Sequence, residues 1–382
     1  MANQKKTPIA IIGGGISGLT LAALLERAGL DYLVIDSQEL GGMIRGQNEH
    51  GISLDYGLKS VPIGSALNKN PLVVLKERLG LRLQFDSWTE PPQTLAKNEF
   101  VPFVGFGENK LRILITEYNY YLTPERIIVS QGWQKLVDQL LQIIPAEKIM
   151  TKSHVTGVGV SDDAITSLTL NGSTQLNVGR VVCTLSPSVL SEIFPKGVIS
   201  VKLLQRISKT QTFTAINLDL ATTQKISEAK NFFILNDNVD QEFYVLGQFP
   251  SNIDTARNLS SVQISSWLTL VDQESLQDDE NGSKAIRTMK KLIKRMFPEL
   301  LENVKWERLL VVPTSIGHFE HLQLEKNGTL PGLVNFWVAG AQVGGVHRNI
   351  LNAIQSSTFA ADQIIRQVDP QRILRSSVEV QR

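Results

Sequence analysis

The chain has 382 residues, enough for one large α/β unit or two interleaved domains, and its 42% hydrophobic and 20% charged residues suit a globular protein with a real core. Its 38 basic and 37 acidic side chains leave a formal net charge of +1, which gives no electrostatic reason to expect nucleic acid or an anionic membrane as the main partner. Cys183 is the only cysteine, which excludes an intramolecular disulfide and a cysteine-based zinc site; in the apolar run Arg180 to Leu185 it reads as a small core residue.

Residues 8–12 are continuously apolar, as in a buried parallel strand. After a glycine turn, Leu19 to Ala28 predicts a helix closed by Gly29, and residues 32–35 predict a second strand ending at Asp36. No stretch reaches the roughly 20 apolar residues of a membrane span. Lys5 and Lys6 are not followed by the unbroken apolar run of a signal peptide, so the expectation is a cytoplasmic protein, with peripheral membrane contact left open.

Residues 72–83 read as helical, ending at Leu79-Gly80-Leu81, and 84–128 are aromatic and proline-rich with weak periodicity, the pattern of a segment covering a pocket. Trp133, Leu136, Val137, Leu140 and Leu141 follow the helical i, i+3, i+4, i+7, i+8 rule after Gln131-Gly132. Strand patterns come next at 154–160, 164–170 and 174–184, and residues 200–270 alternate as in an antiparallel sheet. Residues 283–297 predict an amphipathic helix with Ile286, Met289, Ile293 and Met296 inward. A strand at Phe336–Ala339 then leads to a long helix over 350–368, and 369–382 is a polar tail.

Gly13-x-Gly15-x-x-Gly18 has the spacing of a dinucleotide-binding turn. Gly13 permits the tight bend, Gly15 lets backbone approach a pyrophosphate, and Gly18 lets the helix pack closely, while the helix N-terminus points N–H groups at phosphate. Asp36, at the end of the second strand, is placed to accept from ribose hydroxyls. The glycines alone do not separate NAD from FAD.

The residues just beyond the second strand do separate them. Leu40-Gly41-Gly42-Met43-Ile44-Arg45, and then Asp55-Tyr56-Gly57, resemble the extended flavin motif of the flavin amine oxidase superfamily. That resemblance implies FAD, with Arg45 near the flavin or its phosphates and the stretch from Asp55 through Leu58 near the ring. In the superfamily a late strand, turn and helix return to cover the flavin, and Phe336 to Val346 with the last helix after it has that shape. Ala339-Gly340-Ala341, the helix from Gly132, the strand at Val155, and Trp306 to His318 are similar to protoporphyrinogen oxidases. The resemblance implies cofactor contacts at Gly13, Gly15, Ile16, Ser17, Gly18, Asp36, Ser37, Gly42, Arg45, Gly57, Leu58, Val155, Gly340, Ala341, Gly345 and Val346. Two features depart from it: the segment before Gly132 is much shorter than that family's substrate insertion, and Val346-His347-Arg348-Asn349 replaces its final loop pattern.

The expected architecture is a discontinuous Rossmann-like FAD-binding domain (1–70, 130–195 and 305–368) and an α+β substrate domain on an antiparallel sheet (71–129 and 196–304). The leading expectation for activity is two-electron oxidation of a hydrophobic or cyclic small molecule, hydride passing to flavin N5 and then to oxygen or a quinone. Amine or amino-acid oxidation is the second, and a flavin-binding partner protein without turnover the third. His347 and Lys59 are the titratable groups that the motifs place near the ring; each also has an ordinary reading, as a loop histidine and a partly exposed lysine. His318-x-x-His321 lacks a third ligand nearby, so no metal is expected. Trp88, Phe100, Phe103, Phe106, Tyr118, Tyr120 and Tyr121 are candidates for an apolar pocket, against ordinary core packing.

Overall fold

A computed structural model of the chain describes residues 7–64, 66–106, 112–123, 125–236, 243–254, 256, 262–277, 279–317, 322–343 and 349–368. The apolar run at the N-terminus forms the strand Thr7–Ile12, central in a parallel sheet ordered Ile149–Met150, Leu33–Ile35, Thr7–Ile12, Thr174–Cys183, Phe336–Val338. Both its faces are covered. Ile9 and Ile11 point into one core, Ala10 and Ile12 into the other, which explains why the run does not alternate.

The strand Thr174–Cys183 serves two neighbourhoods. Its second half pairs in parallel with Thr7–Ile12, and its first half pairs antiparallel with Ala164–Leu170, which in turn pairs with Val155–Ser161. On one face of the sheet lie the helices Ile16–Arg27, Gln134–Ile143, Pro71–Leu79 and Asn349–Val368, packed through Leu21, Leu25, Val137, Leu140, Leu75 and Ile354.

The second sheet has seven strands in the order Val304–Gly317, Thr212–Thr222, Gln263–Asp272, Tyr244–Gln248, Phe233–Asn236, Gln93–Ala96, Glu99–Pro102. Its pairings are antiparallel except for Phe233 against Gln93. The helix Asp279–Met296 covers one face through Met289, Leu292, Ile293 and Met296. Along Thr212–Thr222, Ile216, Leu218 and Leu220 point to that helix, so the alternation sends Ala215, Asn217 and Asp219 to the opposite face, toward the dinucleotide sheet.

Three sequence expectations shift. Val304–Gly317 pairs with Thr212–Thr222, so a boundary at 305 cuts a strand of the second sheet; the division between sheets falls beyond it. The sequence pattern assigns Pro71–Leu79 to the substrate side, but Leu72, Leu75 and Leu79 pack in the dinucleotide core. Residues 201–208, inside the stretch read as strands, are helical because the Ser200 hydroxyl accepts from the Leu203 amide and starts a turn with Leu203 and Ile207 on one face. Cys183 is fully buried in the core, and burial pushes its thiol up to about 11. The tail 369–382, Gly345, Val346, His347, His318 and His321 lie outside the described residues.

Candidate flavin site

Close backbone approach builds the first half of the site. Gly13 has φ +107°, and a Cβ on Gly18 would stand 1.8 Å from the Gly13 carbonyl oxygen, so the helix Ile16–Arg27 docks on the turn only with glycine there. A Cβ on Gly15 would meet nothing nearer than the Cα of Gly42, at 3.9 Å. A Cβ on Gly42 would stand 3.0 Å from the Gly15 Cα, so the two glycine turns lie against each other, joined where Gly41 N–H donates to the Gly14 carbonyl at 2.8 Å. They sit at the N-terminus of a helix whose Ile16, Ser17 and Gly18 are buried against the strand, the end whose dipole suits a diphosphate.

Asp36 is fixed before any ligand arrives. Its carboxylate accepts from the Gly14 amide and from the Gln38 amide, the latter at 2.7 Å. Beside it a cavity of about 220 Å³ is lined by Gly13, Asp36, Ser37 and Val155, joined by Ser153, His154 and Leu185. The structure thus brings together the residues expected at the adenosine end. Gly14 is a further participant that the spacing motif passes over: a Cβ there would lie 2.3 Å from Leu40 Cδ2, and the run of three glycines at 13–15 is the signal that marks it.

Beyond the two glycine turns a larger cleft encloses about 760 Å³, counting space open to solvent. Both ends of the chain line it: Ile16, Met43 and Ile44 from the two turns, Leu58, Lys59 and Ser60 from the ring motif, and Ala341, Asn349, Ile350 and Ala353 from the return. Ala215, Asn217, Leu268 and Leu270 of the second sheet, with Tyr120 and Tyr121, close it. Of the seven aromatic candidates, these two tyrosines reach the cleft. Tyr118 is core, its hydroxyl bonded to the Tyr244 carbonyl and the Leu270 amide, and Phe103 and Phe106 pack around it. Trp88 packs on Phe232, and Phe100 sits on the outer side against Phe233 and Phe297.

Several residues that hold the cleft together carry no motif in the sequence. The Asn352 amide donates to the carbonyls of Gly340, Ala341 and Val343, pinning the returning turn on the last helix. Gly57 (φ +83°) lies against Asn217: a Cβ would fall 2.6 Å from Asn217 Oδ1, which also accepts from the Leu58 amide at 3.3 Å. Arg126, fully buried, donates to Ser60 Oγ at 2.8 Å and the Ser60 carbonyl at 2.9 Å, and lies over the Tyr120, Tyr121 and Phe232 rings. No sequence spacing links Arg126 to Ser60, 66 residues away.

Arg45 and Asp55 make contacts that the sequence motif does not specify. Arg45 stands outside the cleft lining; it lies over the Tyr56 ring, 5.0 Å from its centroid, with Glu39 at 4.0 Å. Asp55 Oδ1 accepts from the Trp133 amide at 2.8 Å and so anchors the start of Gln134–Ile143.

Behind Leu58 and Lys59 lies a second, polar chamber of about 500 Å³, again counting open space. Its floor is a buried ion pair, Arg308 Nη2 to Asp219 Oδ2 at 2.6 Å, with Ser266 Oγ donating to Asp219 Oδ1. Burial raises the Asp219 carboxyl, while Arg308 and Ser266 pull it back toward the charged form. Arg308 also donates to the Asp55 carbonyl, tying the hairpin of Gly46–Glu49 and Ile52–Asp55 to the second sheet. Lys59 borders both chamber and cleft, and burial lowers its ammonium to about 8 against the opposing pull of Asp55 and Asp219.

Comparison with known proteins agrees with this geometry. Residues 11–66 match the family model of the NAD(P)-binding Rossmann-like domain and residues 105–365 that of the flavin containing amine oxidoreductases. An uncharacterized protein from the nifH2 3' region of Methanothermococcus thermolithotrophicus is 39% identical over 67 residues, and the Lysine-specific histone demethylase 1B homolog of Caenorhabditis elegans is 31% identical over 81. Those matches span 18% and 21% of this chain, and 63% and 10% of the relatives. Among solved structures, an oxidoreductase from Methanosarcina mazei superposes with TM-score 0.72 at 14% identity, covering 93% of this chain and 100% of the other. A candidate protoporphyrinogen oxidase from Exiguobacterium sp. 255-15 gives 0.70 at 14%, and cyclohexylamine oxidase from Brevibacterium oxydans IH-35A gives 0.69 at 12%; each comparison covers 96% of this chain and 100% of the other. These identities speak for the fold. The family model covers more than half of the chain: the chain belongs to the flavin containing amine oxidoreductases and is an FAD-dependent oxidoreductase.

Proposed function

We propose that the chain oxidises a hydrophobic or cyclic small molecule by two electrons, in the manner of a protoporphyrinogen oxidase. Bound FAD supplies the acceptor for a hydride at N5, and oxygen or a quinone then takes the electrons. In this reading Asp36, Ser37 and Val155 would hold the adenosine. Gly13, Gly15, Gly18 and Gly42, with the amides of Ile16 and Ser17, would hold the diphosphate, and Leu58, Gly340 and Ala341 would border the ring. Gly57 and Arg45 support it from behind. The observation that carries the substrate class is the cleft lining. Aliphatic side chains and two tyrosines surround one charged group, Lys59, with no carboxylate among the described lining residues. An ammonium substrate would find no carboxylate among those lining residues to pair with, which puts amine oxidation second.

Lys59 is the catalytic candidate that the geometry supports, since it reaches the cleft wall. Its role would be to hold or release a proton beside the substrate while the apolar walls exclude water. The test is a spectrum and then a panel of substrates. Purified protein should be yellow and release FAD on denaturation. Anaerobic bleaching should then occur with porphyrinogens or cyclic-ene compounds. Bleaching by amines alone would overturn the substrate class, and a flavin left oxidised by every compound would favour a partner protein without turnover.

A further inference from the structure

The polar chamber behind the cleft shares Leu58 and Lys59 with it. Its other polar lining groups are Asp55, the Asp219–Arg308 pair, Ser251, Ser266 and Gln248. One water fits such a set: donors and acceptors converge from several strands on a space with room for about one molecule. The half-buried Pro250 and Ser251 mark its outer side.

We propose that this chamber, through a water held there, is the outlet for the substrate's proton, with Lys59 Nζ as the group that carries the proton out of the cleft. The proposal rests on the oxidase reading above. When a substrate H–C–X–H is oxidised, the C–H electron pair leaves as hydride to bound FAD, and the X–H proton must also leave for C=X to form. Among the described residues, the cleft offers one group able to take it. The tyrosines keep their own protons, since burial pushes Tyr120 up to about 12 and Tyr121 higher still. The Lys59 amine accepts the substrate proton through its lone pair. The ammonium then hands it to chamber water, which restores the amine.

The surroundings favour a group that can do both. Asp55 and Asp219 face Lys59 from the hairpin and the second sheet, Arg308 is engaged with Asp219, and Tyr120 and Tyr121 are neutral neighbours on the cleft side. With Lys59 neutral, the chamber holds two carboxylates against one guanidinium, a field that draws a proton in. With Lys59 charged, its burial drives the proton on.

Two measurements decide it. In FAD-loaded protein, the flavin absorbance should show an inflection near pH 8, the value expected of Lys59. The inflection should vanish in Lys59→Met and move out of the range of pH 6 to 10 in Lys59→Arg; an unchanged inflection in Lys59→Met would overturn the relay. The second measurement uses apoprotein, so it does not depend on the flavin reading. Acetic anhydride labelling of Lys59, read by mass spectrometry, should reach half its maximal rate near pH 8 and slow severalfold in Ile253→Phe, which adds bulk on the chamber side. Equal labelling in Ile253→Phe would mean that Lys59 meets solvent through the cleft, and would overturn the chamber as outlet. Protein that cannot be reconstituted with FAD would instead sink the oxidase reading, whatever the labelling shows.

Discussion

Around the glycine turns the walls of the site are backbone, and around the cleft they are side chains. The glycine turn from Gly13 to Gly18 is shaped by contacts in which a single Cβ would collide with a carbonyl or with a short loop 20-odd residues away. The cleft depends on Asn217, Arg308, Arg126 and Asn352, which reach across 159, 253, 66 and 12 residues of chain to hold Leu58, Asp55, Ser60 and Gly340. The first kind of wall is rigid and intolerant of any side chain. The second can change its shape by changing a few residues, so the same cofactor frame can serve different substrates.

The largest expected effect breaks the join between the two regions. Arg308→Met leaves the Asp219 carboxylate buried without its guanidinium and removes a donor from the Asp55 carbonyl, and removing one partner of such a pair costs about 3–5 kcal/mol. Urea unfolding measures it; a loss under about 1 kcal/mol would mean that the ion pair does not hold the hairpin to the second sheet. Next comes Gly18→Ala, where the new methyl would have to push the helix off the Gly13 carbonyl. Overpacking of this kind costs about 1–3 kcal/mol. It should appear as a FAD dissociation constant raised by about tenfold or more, with far less change in the second sheet's hydrogen exchange. Equal FAD affinity would show that the turn has slack.

The difference between the walls also decides what the sequence makes legible. A backbone wall leaves its mark within a short window, because glycine is the residue that permits it: the spacing of Gly13, Gly15 and Gly18, and the pair Gly41-Gly42, locate the two turns from residues alone. The parallel strands are equally plain, since burial on both faces writes a continuous apolar run. The side-chain wall leaves no such mark. Asn217 and Asp219 look like ordinary polar positions in an alternating strand, and their importance depends on which face of the sheet meets Gly57 and Arg308. The shift of Val304–Gly317 into the second sheet has the same origin: strand partners are fixed by pairing across the chain, and the local pattern at Trp306 to Pro313 fits either sheet.

Gly57 is where the two kinds of wall meet. It has φ +83° and stands against the Asn217 amide, so Gly57→Ala carries both a backbone penalty and a steric one. We expect about 1–2 kcal/mol in unfolding free energy. Asn217→Ala in the same chain should recover part of that loss by removing the clash. A double variant no more stable than Gly57→Ala would assign the whole cost to the backbone angle.

The smallest expected effect separates Lys59 from its neighbours in stability alone. Burial lowers the folded-state value to about 8 from an ordinary 10.5, so the fold disfavours the ammonium. Between these two values the unfolded chain binds a proton that the folded chain does not, and stability therefore rises as pH increases through that window. Below about 8 both states are protonated and the full cost of burying the charge is present. Lys59→Met removes that cost. At pH 7 the variant should be more stable than the native chain by about 1 kcal/mol, once solvent screening at a half-buried side chain is allowed for. As pH rises above about 10.5 the advantage should vanish, because the native lysine is then neutral in both states. A variant less stable at pH 7, with no convergence on raising the pH, would mean that the carboxylate neighbours hold the Lys59 ammonium in place, and that the cleft wall carries a paired charge like the one on the chamber floor beneath it.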